Sequence, residues 1–367
     1  MDRVLNIVEP TLTTQAGHCH SFLASLCNAA DDFPICLWVG RGAQLTFERR
    51  SVQVEPYFLR HLRRPQVFWL YRQLLRRPGR IFVATATRTD LALLHLAAAD
   101  TIEPGKVFLY FHWFSLTSRK LRFLEKFASL QPNLGILGPT PGAVEAFYHS
   151  GFRDVRVVPY PMTKRTANPF CSEREIVDLS SGFRHLLFAG IARQDKGITS
   201  IADLVTHLAQ TGSDLPIVVQ VSADHRHHFD AKTAQDIQRL KQANYPYLHL
   251  IGKTLHQDEY LALFNGGICL QPYDVIDFTD RVSGVSLDAL AAGCPLVARA
   301  GTWSARVAER FGAGLTLHDT SPSLLLAAIR TIIDDWSSFQ DKACQAGQIL
   351  QKENNASHLM EVLTSHG

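Results

Sequence analysis

Short apolar runs alternate with amphipathic stretches along the whole chain. In the first half the runs are residues 4–8, 35–39, 81–84, 107–111, 134–137 and 155–158. Runs of this length without period-two alternation predict strands covered on both faces, as in a parallel sheet. Residues 91–99 and 143–148 carry helical spacing between them. A polar stretch, 163–182, follows and reads as a linker. A second alternation then begins, with apolar runs at 186–188, 217–221, 248–251, 268–270 and 296–298. Helical patterns at 198–209, 231–243, 258–264 and 285–292 separate them, and 323–366 reads as helices only. The pattern predicts an α/β chain of two Rossmann-like, doubly wound domains, 1–162 and 183–345, in which ligands bind beyond the carboxyl ends of the strands.

Composition agrees with a folded, two-domain protein: 367 residues, 46% apolar and 19% charged. No run is long and apolar enough for a membrane helix. The first ten residues read as a strand rather than a signal peptide. Seven scattered cysteines without a Cys-x-x-Cys pair suggest reduced thiols, and with them a cytoplasmic protein. The net charge of +3 hides an asymmetry. The first 165 residues carry 21 Lys/Arg against 12 Asp/Glu, a net +9, and the remainder 16 against 22, a net −6. The first half is therefore expected to face something anionic. Gly-x-Gly-x-x-Gly is absent after the first strand, which argues against a dinucleotide dehydrogenase.

Two stretches of the second half point to a sugar joined to phosphate. Residues 280–288 hold Asp280 and Asp288 with seven residues between them, among which Ser283, Gly284 and Val285 open a helix. A helix N-terminus presents unpaired N–H groups to a phosphate, and carboxylates accept hydrogen bonds from sugar hydroxyls. The alternative is an acidic residue favoured in a first helical turn. Residues 187–197 turn from strand to helix through Gly190 and carry Arg193, a planar fork for phosphate, and Lys196, a point charge; the alternative is an exposed basic loop. In the first half His112 ends an aromatic strand, either packed in the core or turned to the ligand edge to hydrogen-bond a sugar or shift a proton. Gly17, in the first strand-to-helix turn, could approach a phosphate.

Residues 56–89 contain eight arginines and no acid. Pro65 can open a helix there and Pro78-Gly79 can end it. Its apolar face would hold Val67, Phe68, Leu70, Tyr71, Leu74 and Leu75. Trp69, Arg72, Gln73 and Arg76 lie opposite, with Arg64 nearby. Arginines beside an outward Trp suit an anionic membrane surface; a solvated basic face is the plainer reading, and no nucleic-acid motif accompanies it. Asp274, Asp277 and Asp280, like His225, His227 and His228, read as polar loops rather than metal sites, and no metal is expected.

These motifs, taken in order, resemble the GT-B glycosyltransferases of family 4. In that family an acid-x7-acid element precedes Ala-x-Ala-x-Gly-x-Pro, matched here by Asp280, Asp288, Ala289, Ala291, Gly293 and Pro295. Both acids are Asp where the family has Glu. The Gly-x-x-Arg-x-x-Lys-Gly loop matches Gly190, Arg193, Lys196 and Gly197, and the first-domain histidine matches His112. The resemblance implies two domains facing across a cleft, with a final helix, 346–367, crossing back to the first. It implies a retaining, metal-independent hexosyltransferase without a cofactor, moving sugar from a nucleotide-sugar donor to a glycan or lipid-linked acceptor. Arg193, Lys196 and the Ser283–Val285 helix start would hold the diphosphate. Asp280 would meet sugar hydroxyls, Asp288 the ribose, and Gly252, Lys253 and Leu255 would lie near the base. His112 would sit near the reacting carbon. Cell-surface polysaccharide or glycolipid synthesis at the inner face of the membrane would follow. A nucleotide-sugar epimerase, a phosphorylase of the same fold, or a non-catalytic nucleotide-sugar-binding protein are the alternatives.

Overall fold

The structure, a computed structural model, describes residues 4–15, 18–45, 47, 51–162, 182–222, 229–253 and 255–365, for His18 the backbone only. Gly17, most of the expected linker, and His225, His227 and His228 lie outside the described residues. The chain divides into two compact units, Met1–Lys164 with Glu353–Gly367, and Arg165–Lys352.

The first unit carries strands β1 (Leu5–Glu9), β2 (Ile35–Gly40), β3 (Val52–Phe58), β4 (Arg80–Val83), β5 (Val107–Tyr110), β6 (Gly135–Gly138) and β7 (Asp154–Val157). They form one parallel sheet in the order β3-β2-β1-β4-β5-β6-β7. Its helices are α1 (His18–Asn28), α2 (Arg63–Leu75), α3 (Arg88–Ala97), α4 (Ser118–Leu130) and α5 (Pro141–His149). The second unit carries β8 (His185–Phe188), β9 (Ile217–Gln220), β10 (Leu248–Ile251), β11 (Gly267–Gln271), β12 (Leu296–Arg299) and β13 (Gly314–Leu317), parallel in the order β10-β9-β8-β11-β12-β13. Its helices are α6 (Ile198–Gln210), α7 (Ala231–Gln242), α8 (Gln257–Ala262), α9 (Val275–Phe278), α10 (Gly284–Ala291), α11 (Trp303–Phe311), α12 (Pro322–Asp334) and α13 (Trp336–Glu353). The last helix, α14 (Ala356–Thr364), belongs to the first unit. These are the two doubly wound units that the alternation predicts.

Two strands escape the apolar pattern, and both are edge strands. β3 reads Val-Gln-Val-Glu-Pro-Tyr-Phe and is half exposed; Pro56 is tolerated because an edge strand has one unpaired side. β13 is only half-buried along its length. The inner strands β1, β5 and β6 are buried at every position, which is why they read as continuous apolar runs. In each sheet the strand order reverses beside the first strand, at β1/β4 and at β8/β11. The carboxyl ends of those strands are where such sheets hold ligands.

Helices cover both faces of each sheet. In the first unit Leu359, Met360 and Leu363 of α14 join Phe22, Leu23 and Leu26 of α1 in one core layer. Arg80 Nη1 donates to the Leu363 carbonyl at 2.7 Å, fastening the last helix to the base of β4. In the second unit α13 presses on α10 so closely that a Cβ at Gly347 would overlap the Leu290 carbonyl and Ala291 Cα. The thiols of Cys19, Cys27, Cys36, Cys269 and Cys294 are free, whereas Cys344 is disulfide-bonded, which corrects the expectation of uniformly reduced cysteines.

Candidate functional site

In the second unit the two basic and acidic stretches converge at the carboxyl end of β8. The chain leaves β8 through Gly190, at φ +95°, where a Cβ would stand 3.0 Å from Lys196 Nζ and 3.4 Å from the Val285 side chain of α10. Only glycine lets the basic loop lie this close to the helix start. A single 3-10 turn, Gln194–Lys196, follows, and Gly197 (φ +77°) ends it against the Pro272 carbonyl, where a Cβ would overlap. The Asp274 N–H donates to the Asp195 carbonyl at 2.8 Å and ties this turn to the loop after β11.

Three cations surround one carboxylate here. Arg193 Nη2 lies 2.6 Å and Arg281 Nη1 3.8 Å from Asp195 Oδ2. Lys196 Nζ lies over the Tyr273 ring at 5.8 Å, and the Arg281 guanidinium stacks on Phe278 at 4.9 Å. Burial, reinforced by repulsion from Arg193 and Arg281, pushes the Lys196 ammonium down to about 8. Burial and Arg193 likewise lower Arg281. Arg193 Nε is buried without a hydrogen-bond partner. Like charges held together against their repulsion give this loop the capacity to take up an anion.

The start of α10 faces the same place. Ser283 Oγ caps it by accepting from the Ser286 N–H at 3.2 Å, leaving the first N–H groups, those of Gly284 and Val285, outside the helix ladder. The buried Ser286 hydroxyl donates to Gln271 Oε1 at 2.7 Å and lies 2.8 Å from Ser304 Oγ, which fixes the helix end on β11 and α11.

The acids are both engaged. Asp280 Oδ1 pairs with Arg306 Nη2 of α11 at 3.0 Å. Asp288 Oδ2 accepts from the Tyr260 hydroxyl at 3.2 Å, and burial with Asp288 nearby raises that phenol. Beyond β10 a cavity of about 310 Å³ is lined by Gly252, Lys253 and Leu255 with Glu259, whose carboxylate pairs with Lys253 at 3.1 Å. Asp274 spends its carboxylate capping α9. No group of three or more metal-ligating side chains occurs among the described residues. Sequence reasoning did not single out Arg281, Asp195 or Tyr260. Arg281 stood inside the stretch already marked, and its charge beside Asp280 was the available signal.

In the first unit His112 follows β5, its ring among Phe22, Tyr110 and Tyr160. On α2, Val67, Leu70, Tyr71 and Leu74 are buried, and Trp69 is 59% exposed with the Arg72 guanidinium 5.9 Å from its ring. Trp69, Arg72 and Arg76 line a shallow cavity of about 400 Å³ with Tyr57, Gln73 and Arg77. Arg64, exposed in the first turn, is not among its walls.

No protein-family model and no curated protein matches the chain. Solved structures do. HepE of Anabaena, in complex with UDP-glucose, is 15% identical at a TM-score of 0.69 over 98% of each chain. The trehalose-6-phosphate synthase OtsA is 10% identical at 0.69 over 97% of each. WaaG, a glycosyltransferase involved in lipopolysaccharide biosynthesis, is 11% identical at 0.65 over 99% of this chain and all of that one. Two parallel-sheet Rossmann-like units, matched along nearly their whole length to these enzymes, give this chain the GT-B fold.

Proposed function

We propose that the protein is a glycosyltransferase that takes its sugar from a nucleotide-sugar donor. The observation that carries this reading is the set of Arg193, Lys196 and Arg281 around Asp195, beside the open end of α10. Sugar transfer releases a nucleoside diphosphate, and charge grows on its phosphate as the glycosidic bond breaks. Fixed cations and helix-end N–H groups stabilise that charge without reorganising. These groups supply positive charge where a divalent cation otherwise would, so transfer should proceed without added metal. HepE was solved with UDP-glucose, which makes a uridine diphosphate hexose the first donor to test.

The finer reading adds retention of configuration and roles for the acids. Asp280, held by Arg306, would meet donor-sugar hydroxyls, and the Tyr260–Asp288 pair would read the ribose. Gly252, Lys253 and Leu255 would border the base, and His112 the sugar. The Trp69, Arg72 and Arg76 face would rest on an anionic membrane, bringing the enzyme to a lipid-linked acceptor at its inner face.

Titration calorimetry with UDP, GDP and ADP tests the donor site. Binding of at least one that is lost in Lys196→Ala supports it; no binding of any overturns it. Incubation with donor alone separates the alternatives, since epimerised sugar or phosphate-dependent cleavage would indicate a different reaction. Co-sedimentation with vesicles rich in anionic lipid tests the membrane face, and binding unchanged by Trp69→Ala with Arg72→Glu would remove it.

A further inference from the structure

The basic turn Gln194–Lys196 is pinned from two sides by contacts that do not involve the Asp195 carboxylate. On one side Gln194 Nε2 donates to Thr233 Oγ1 at 3.2 Å and to Asp236 Oδ2 at 3.0 Å, both on α7, and Gln194 Oε1 accepts from the Thr199 hydroxyl of α6 at 2.9 Å. Thr233 and Asp236 are buried. On the other side the Asp195 carbonyl accepts from the Asp274 N–H, and Gly197 abuts Pro272. These contacts hold the backbone of the turn whichever way the Asp195 side chain points.

That side chain points at the cations. Asp195 Oδ2 accepts from Arg193 Nη2 at 2.6 Å, and Arg281 Nη1 lies 3.8 Å from the same oxygen. The Phe278 ring beneath Arg281 and the Tyr273 ring beneath Lys196 attract their cations but leave the charge in place. The Asp195 side chain is 22% exposed, so one way out of the cluster leads to water. To a guanidinium, a phosphate oxygen is the same kind of partner as a carboxylate oxygen. Two anions on one pair of arginines repel each other. A phosphate that takes Arg193 and Arg281 must therefore turn Asp195 away, and a change of its χ1 rotamer moves the carboxylate without moving the turn.

We propose that Asp195 is an exchangeable counter-anion: its carboxylate and the donor's diphosphate alternate on Arg193 and Arg281, so Asp195 sets how tightly the diphosphate is held and hastens its release after transfer. The proposal rests on the reading of this cluster as the donor-phosphate site. A carboxylate that only orients Arg193 toward phosphate would lie at the same distance, but the two roles differ in sign. Removing an orienting carboxylate weakens phosphate binding; removing a competing one strengthens it.

Asp195→Asn keeps the size of the side chain and removes its charge. Calorimetry with UDP, GDP, ADP and inorganic pyrophosphate compares it with the wild type. Pyrophosphate, and each nucleoside diphosphate that the wild type binds, should bind the variant about tenfold or more tighter, the worth of a charged hydrogen bond. The dissociation rate in stopped-flow should fall by a similar factor. Without ligand the variant should melt lower, because the cations lose a counter-charge, and pyrophosphate should raise its melting temperature more than that of the wild type. Asp195→Ser takes its place if the asparagine variant does not fold. Unchanged or weaker binding by the variant, where the wild type binds, overturns the exchange and leaves the donor site standing. No binding of any of these anions to either protein overturns both. Pyrophosphate that tightens on the variant while no nucleoside diphosphate binds either protein supports the exchange and removes the nucleotide-sugar reading.

Discussion

The two sheets are built alike, yet their ligand edges are charged against the trend of their surroundings. The first 165 residues carry a net +9. At the carboxyl ends of the first sheet's central strands, however, stand a buried acid, a threonine and a histidine walled by aromatic rings. The remainder of the chain carries −6, and there three cations gather around one carboxylate. Bulk charge governs what a surface attracts at long range; the site is set by the few groups that loops and glycines force together. Net charge alone points to the first half as the one that meets an anion, whereas the cluster of cations lies in the second.

The contrast breaks first at Lys196. Replacing it with methionine should weaken nucleoside diphosphate binding by roughly 100-fold or more, as for truncating one partner of a buried charge pair. It should also raise the melting temperature of the ligand-free protein, by roughly 2–4 °C per kcal/mol relieved, because the like-charge repulsion goes. Calorimetry and thermal melts read both, and a melting temperature that falls would mean the ammonium is a structural partner. Next is Arg281→Ala, expected to cost about tenfold or more in affinity, the worth of a charged hydrogen bond; unchanged affinity would remove Arg281 from the site.

The pH dependence sharpens the same comparison. Lys196 titrates near 8 in the folded protein and at its ordinary 10.5 when unfolded. Between those values the unfolded state binds more protons, so the ligand-free protein gains stability as pH rises through that window; below about 8 the repulsion is fully present. A bound diphosphate favours the ammonium and lifts its pKa back. Affinity should therefore be flat below pH 8 and fall above it, with proton uptake on binding near pH 8–9, read from calorimetry in buffers of different ionisation enthalpy. Affinity that is flat to pH 10 would contradict a charged Lys196 on the phosphate. The smallest effect is expected of Tyr260→Phe, about threefold to tenfold, and it should be selective for ribose over 2′-deoxyribose nucleotides.

Much of the fold was legible because burial on both faces writes itself as an apolar run. The inner strands β1, β5 and β6 obey that rule, and β3 and β13 do not because edge strands face solvent. Within the site, the spacing of Gly190, Arg193, Lys196 and Gly197 could be read because the turn that gathers them is local. Arg281 and Asp195 meet only through the return of the chain after β11, and Tyr260 reaches Asp288 from a different helix.

One contact far from any ligand has a consequence for tolerance of mutation. Gly347 sits in the middle of α13, where helix propensity favours almost any other residue. Alanine there should nonetheless be rejected, because its methyl would enter the Leu290 backbone at the far end of α10. α10 is the helix whose opposite end faces the proposed phosphate site, so a scan that scores activity at every position should rank Gly347 beside the residues of that site. Selection for sugar transfer would then reach into a helix that touches no substrate, through the thickness of a single methyl group.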